Sequence, residues 1–208
     1  ANFEMAKPPF ASNEEEAEYT SVYDSVINIP LINGKGLFTL YKRGVYSFVM
    51  NNKRIFTLNY LEENFPEIIN HEGMIKPLRY ICTNNEYAIL TEAEDKKKAV
   101  EDFWIKISGS KDRARVLIRE YYNRLLLANK HFSSYKEGWK TDRGMLSIVM
   151  GAPNTITSGN NGETWLYGTS HNMMMSLSFT FQKPSNSVYK NDFKLDRYRL
   201  YKDYWYRA

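Results

Sequence analysis

Asp142 and Glu163 are the two side chains that would carry an acid–base reaction in this 208-residue chain. Two carboxyl groups roughly 5–9.5 Å apart suit glycosidic hydrolysis, one as acid and the other as nucleophile or base. Asp142 stands in the run Gly138-Trp139-Lys140-Thr141-Asp142-Arg143-Gly144. Arg143 beside it can fork onto a carboxylate or onto carbonyls. Other catalytic patterns are missing from the sequence. His71, His131 and His171 are scattered, and no His-Glu-x-x-His pair occurs. There is no Gly-x-Ser-x-Gly elbow, and Asn33-Gly34-Lys35-Gly36 reads as a hairpin turn, not a phosphate loop. Cys82 sits beside Ile81 in an expected helix and reads as a small core residue, not a nucleophile. His131 ends an expected helix, where its positive form would suit the dipole. A single cysteine permits neither an intrachain disulfide nor an all-cysteine metal site. Three separated histidines match no zinc spacing. No metal and no cofactor is expected, and a catalytic role is expected less than a binding one.

Binding chemistry concentrates at the end of the chain. Tyr198–Arg207 interleaves Tyr198, Tyr201, Tyr204, Trp205 and Tyr206 with Arg199, Lys202 and Arg207. Such a segment can stack nucleobases or sugars. It is too aromatic for a disordered tail, so it reads as a strap docked on its own domain or as a partner surface, its bases paired with the acidic run Glu14–Glu18 or with a partner. The candidate binding residues are Asp142, Arg143, Tyr201, Tyr204, Trp205 and Tyr206.

The elements that must hold these residues follow from the patterning. The hydrophobic fraction of 43% and charged fraction of 25% are those of a globular chain, and no stretch approaches the roughly 18 apolar residues of a membrane span. Net charge is +4, divided as −5 over residues 1–24 and +9 over the rest. The bases are dispersed and no nucleic-acid motif accompanies them, so nucleic acid is not an expected partner. Ala1–Ser12 lacks the pattern of a signal peptide, which fits a cytosolic chain or a mature exported one.

Residues 1–20 read as an arm. From Val22 to Leu61, Ile27–Leu31, Leu37–Tyr41 and Val45–Val49 read as strands of an antiparallel meander with turns at Asn33-Gly34, Lys42-Arg43-Gly44 and Asn51-Asn52. A short helix is expected to open near Pro77. Thr83 with Glu86, and Thr91 with Glu94, fit capping boxes. Val100, Phe103, Trp104 and Ile107 mark the buried face of one helix, ended by Ser108-Gly109-Ser110. Lys111–Phe132 carries a longer apolar stripe, with Glu120–Arg124 as an exposed pair and Lys111, Arg115 and Arg119 on a solvated face. After Gly138 the pattern returns to strand: Met145–Met150, Glu163–Tyr167, Met174–Phe181 and Asp192–Tyr201. The fold class is α+β, with N-terminal antiparallel strands, central helices and a C-terminal antiparallel meander. The division expected is an arm and short β region over 1–74 and an α+β domain over 75–208.

The seven-residue run also has a structural reading. Gly138 suits a left-handed position after a helix, Trp139 a buried ring, Thr141 and Asp142 a turn that folds side chains onto backbone N–H groups, and Gly144 a conformation closed to other residues. Together they describe a locked helix-to-strand corner. The run resembles the signature of the GWxTD-domain family, found mainly in the cell envelope of Bacteroidota and some related bacteria. Flanking residues resemble it too: Phe103-Trp104, Tyr121-Tyr122-Asn123-Arg124, Ala128-Asn129, Gly151-Ala152-Pro153, Trp165-Leu166-Tyr167 and Phe179-x-Phe181. The resemblance covers about Ile75 to Tyr201. Gly138, Trp139, Thr141, Gly144, Gly151, Pro153, Trp165 and Tyr167 are its structural positions. Two positions depart: Ser108-Gly109-Ser110 stands where the family often has Arg-Asp-Pro, and Asn154 where it usually has Asp. The resemblance implies an exported, periplasmic or outer-membrane-associated protein, often lipid-anchored, that does not span the membrane and meets other envelope proteins. It supplies no catalytic activity. The spacing of Thr141, Gly-x-Pro, Trp-x-Tyr and Phe-x-Phe also resembles the small lipoprotein of the β-barrel assembly machinery, in which a helix precedes Gly-x-Pro. Here Gly144 and Ile148-Val149 speak for a strand.

Overall fold

The computed structural model describes residues 4–13, 23–61, 64–168, 176–184, 189 and 191–208. The chain is α+β: a two-stranded sheet comes first, helices occupy the middle, and a four-stranded antiparallel sheet follows. Strands β1 (Gly44–Met50) and β2 (Lys53–Tyr60) form a hairpin closed by Asn51 and Asn52. Both asparagines have positive φ, 53° and 60°, as a two-residue turn matching strand twist requires. The Asn33-Gly34 turn also forms, with φ of 52° and 74°, and is closed by a bridge between Ile32 and Lys35. The strands expected over Ile27–Leu31 and Leu37–Tyr41 do not form. A strand needs a neighbour for its backbone groups, and among the described residues these segments find none beyond that bridge.

Helix α1 (His71–Leu78) opens at Asn70, whose side chain accepts from the Gly73 N–H at 2.6 Å. Pro77 therefore lies inside α1 and does not start it. Cys82 follows in the turn after α1, outside any helix. Helix α2 (Asn84–Glu92) has the Thr83–Glu86 capping box. The second box does not form. Thr91 ends α2, its hydroxyl donating to the Tyr87 and Ala88 carbonyls at 2.9 and 3.0 Å, and α3 (Lys96–Ser108) is capped by Asp95. The competing bond wins because Thr91 is already helical, where its hydroxyl reaches back one turn. Val100, Phe103 and Trp104 are buried, but Ile107 is half exposed at the end of α3. Ser110 caps α4 (Lys111–Phe132), the central helix, which packs on α3, on α5 and on the turn before α5.

After α4 the chain forms a 3-10 turn (Gly138–Lys140) and then helix α5 (Asp142–Met150). The strand expected over Met145–Met150 is thus a helix. Thr141 caps it, accepting from the Gly144 N–H at 3.1 Å. Met145, Leu146, Ile148 and Val149 are all buried. Packing on both faces overrides the modest strand preference of Ile148-Val149. Strands β3 (Thr155–Ser158), β4 (Gly162–Tyr167), β5 (Leu177–Gln182) and β6 (Lys194–Leu195) pair in that order. The last strand expected to reach Tyr201 stops at Leu195, and α6 (Tyr201–Trp205) follows.

Register decides which side chains enter the core. Trp165 pairs with Phe179, Glu163 with Phe181, and Phe181 with Leu195. Alternation therefore puts Glu163, Trp165, Phe179, Phe181 and Leu195 on one face. Trp165, Phe179 and Phe181 are fully buried there with Met145, Leu146 and Ile148, and Phe132 at the end of α4 meets Trp165 with ring centroids 5.4 Å apart.

Candidate functional site

The seven-residue motif is built as a knot at the start of α5, its backbone fixed first. Gly138 does not take a left-handed conformation, as its absence from the positive-φ residues makes plain. Its requirement is space: a Cβ there would stand 1.9 Å from the Ala128 carbonyl oxygen of α4. Gly144 is likewise an ordinary helical residue, and a Cβ on it would stand 1.8 Å from the Gly138 carbonyl oxygen. That oxygen accepts from the Thr141 N–H at 3.1 Å and from its hydroxyl at 2.7 Å. Two glycines thus let α4, the 3-10 turn and α5 touch backbone to backbone.

Trp139 is buried among them. Its N–H donates to the Asn129 side-chain oxygen at 3.1 Å, and its carbonyl accepts from the Tyr80 hydroxyl at 2.9 Å. Asn129 also donates to the Pro66 carbonyl at 2.9 Å. Burial above all, and then the Asp142 charge, raises the Tyr80 pKa. Lys140 pairs with Glu137 at 3.0 Å and lies over the Trp139 ring.

Asp142 and Arg143, in the first turn of α5, each meet the last part of the sheet. Asp142 accepts from Arg197 at 2.5 Å and from the Leu195 N–H at 2.7 Å. Both members of the Asp142–Arg197 pair are at most 5% exposed at the side chain. Arg143 pairs with Glu163 at 3.2 Å, donates to the Asn191 backbone carbonyl at 2.9 Å and to its side-chain oxygen, and covers the Phe193 ring at 4.1 Å. Burial draws the Arg143 pKa down, and the Glu163 charge opposes it. The same Glu163 oxygen accepts from the Trp165 indole N–H at 2.9 Å. Asp142 and Glu163 therefore do not face each other as a free pair. Each is held by its own arginine.

The rest of the motif's flanks anchor α5 and the sheet. Arg124 pairs with Glu120 as expected, and also donates to the Ile148 and Val149 carbonyls at 3.2 Å, closing the end of α5. Gly151 follows with φ of 80°, and its carbonyl accepts from Tyr167 at 2.9 Å; Pro153 stands between it and Asn154. Asn154 accepts from the Gly168 N–H at 2.8 Å, a bond an aspartate oxygen would accept equally, so its departure from the family pattern keeps the turn. Ser108-Gly109-Ser110 serves as the end of α3 and the cap of α4.

The C-terminal segment divides. Tyr201 and Trp205 are buried on the domain, with Tyr201 4.5 Å from the Phe179 ring, whereas Tyr204 and Tyr206 face outward. The N-terminal residues 4–13 lie against it: Tyr198 N–H donates to Pro9 at 3.0 Å, Arg197 N–H to the Asn13 side chain at 2.8 Å, and Ala6 N–H to Lys140 at 3.0 Å. The expected pairing of the tail with Glu14–Glu18 falls outside the described residues. So does His171, while His71 and His131 are exposed. Cys82 is partly buried, and burial with the Glu86 charge pushes its thiol up to about 12. Among the described residues, no three His, Cys, Asp or Glu side chains gather as metal ligands, and no helix is long and apolar enough to cross a membrane.

Arg197, Asn129 and Asn191 were not legible as site residues. A period-2 signal existed for the first: Phe193, Leu195 and Arg197 alternate, so Arg197 follows Leu195 inward. The family resemblance takes in Ala128-Asn129 without giving Asn129 a role, and nothing in the sequence marks Asn191. Comparison with curated proteins and with solved structures finds no match. The GWxTD domain model matches residues 44–208, a span that takes in the hairpin as well as the knot, and the chain belongs to the GWxTD-domain family.

Proposed function

We propose that this chain is a non-catalytic interaction or assembly module of the bacterial cell envelope, of the kind found in Bacteroidota, working on the periplasmic side with other envelope proteins. One observation carries the reading: the motif's charged groups are turned inward, onto Arg197, Glu163, Asn191 and backbone groups. A carboxylate that acts on substrate must reach it, and here both carboxylates brace the fold. The surface left for recognition is aromatic and basic, with Tyr204 and Tyr206 outward beside Arg199 and Lys202. Aromatic side chains favour protein interfaces because they supply area at low entropic cost.

The test is cross-linked affinity purification of the tagged chain from its native host. Recovery in the envelope fraction with a reproducible set of envelope proteins, diminished by Tyr204→Ala/Tyr206→Ala, is the expected result. Recovery with the cytosol would remove the proposal. A glycan-hydrolysing activity of the pure protein, lost in Asp142→Asn and in Glu163→Gln, would replace it with a hydrolase.

A further inference from the structure

Residues 23–60 keep apart from the core. Among the described residues, no side chain between Phe10 and Ile68 belongs to the hydrophobic core or packs against it. The same stretch holds 12 of the 23 exposed large hydrophobic side chains of the described chain, Leu37 at 93%, Tyr41 at 81% and Val26 at 80% among them. Asn59 of the hairpin reaches the body, donating to the Ser134 carbonyl, and Val45, Ser47 and Thr57 share its face by cross-strand register. The opposite face carries Tyr46, Phe48, Phe56 and Leu58, with Phe48 stacked on Phe56 at 4.3 Å. On that face Tyr46, beside Phe38 of the arm, and Phe48 are half-buried, while Phe56 and Leu58 are left exposed.

We infer that this surface is the interface between two copies of the chain, the arm 23–41 and hairpin 44–60 of one covering those of the other. The inference deepens the interaction role proposed above and rests on it. Three observations select a second copy. Twelve such side chains, most more than half uncovered, expose on the order of 1,000 Å² in total over the arm and the hairpin. That matches the roughly 800 Å² each partner contributes to a standard interface. The surface is also complementary to itself. On either side of its Ile32–Lys35 bridge the arm has strand-forming residues in no sheet, and among the described residues neither outer edge of the two-stranded sheet is paired, so each copy offers what the other lacks: backbone to add and an edge to add it to. Charge fits as well. Between Lys42 and Tyr60 the chain carries Lys42, Arg43, Lys53 and Arg54 and no acid, while residues 1–24 are net −5. Opposite net charge on these two parts of the sequence favours the approach of a second copy.

Sedimentation velocity and light scattering on the full chain test this across about a hundredfold dilution, over which a mass-action dimer dissociates. Twice the 24.4 kDa chain mass is expected at the high end. Phe56→Ser/Leu58→Ser is expected to weaken association at least tenfold, with little change in melting temperature at the dilute end, where neither chain is associated, because neither side chain packs on the core. Lys53→Glu/Arg54→Glu should weaken it and make the remainder less sensitive to salt. Leu200→Ser, an exposed apolar site elsewhere, should leave it intact. A monomer at every concentration overturns the inference. So does association that survives both hairpin variants, or a monomer that binds anionic vesicles through the hairpin. Failure here with envelope partners still recovered leaves the functional proposal standing. A dimer recovered without envelope partners does the reverse.

Discussion

At the scale of single residues, the motif is a set of steric and polar demands made at one point. Gly138 and Gly144 are fixed by absent space, Trp139 by burial, Thr141 by the cap, Asp142 by Arg197 and Arg143 by Glu163. Removing one half of a buried ion pair leaves the other half charged and unpaired, at about 3–5 kcal/mol. Asp142→Ala and Arg197→Met should therefore each destabilise strongly, and the double variant should recover much of the loss. A double-mutant cycle in urea reads the coupling; additive losses would mean the pair is not a unit. Trp139→Ala should cost about 3–5 kcal/mol, the range for a buried aromatic, and a loss under about 1 kcal/mol would remove its place in the core. Gly138→Ala should be equally harmful, since the clash is with the backbone of α4, which cannot step aside.

At the scale of elements, what was legible in the sequence depended on where each element's partners lie. The stripe of α4 and the Thr83–Glu86 cap are local, and both formed where expected. The hairpin turns are local too. Met145–Met150 was misread because its strand-forming residues sit in a helix held by a cap at Thr141, by Arg124 from α4 and by the sheet. The arm strands failed for the opposite reason: their residues have strand character and, in the described chain, no strand to pair with. The ion pairs were hidden because Asp142 and Arg197 lie 55 positions apart, and only register brings them together. The C-terminal strap was legible as ordered, and its role can be measured. Tyr201 and Trp205 are buried and the Tyr201 hydroxyl donates to Ser178 at 2.9 Å. Deleting Tyr198–Ala208 should lower the melting temperature by several degrees, as losing two buried aromatics implies. An unchanged melting temperature would mean that the strap adds nothing to the fold.

At the scale of the whole molecule, the 16 tyrosines set how the protein responds to pH. The hydroxyls of Tyr80, Tyr121, Tyr122, Tyr167 and Tyr201 each donate to a backbone carbonyl, of Trp139, Pro77, Met74, Gly151 and Ser178 in turn. A phenolate cannot donate, and burial disfavours its charge, so all five pKa values are raised, that of Tyr201 to about 12. Cys82 is raised to about 12 as well. The unfolded chain releases these protons at about pH 8.5 for the thiol and about 10 for tyrosine. Between those values and the folded ones, the native state holds more protons, so stability falls as pH rises. The contribution is whole below about pH 8.5 and drains away above it, steepening past about 10 as the tyrosines join. Urea unfolding from neutral pH to about pH 11 should show a flat region and then a decline that Cys82→Ala delays at its onset. The phenolate absorbance of the folded protein should meanwhile report fewer ionised tyrosines than the unfolded chain at the same pH. A urea midpoint unchanged up to about pH 11, or full tyrosine ionisation in the folded state, would mean that these hydroxyls are open to water and that the aromatic core is looser than its hydrogen bonds require.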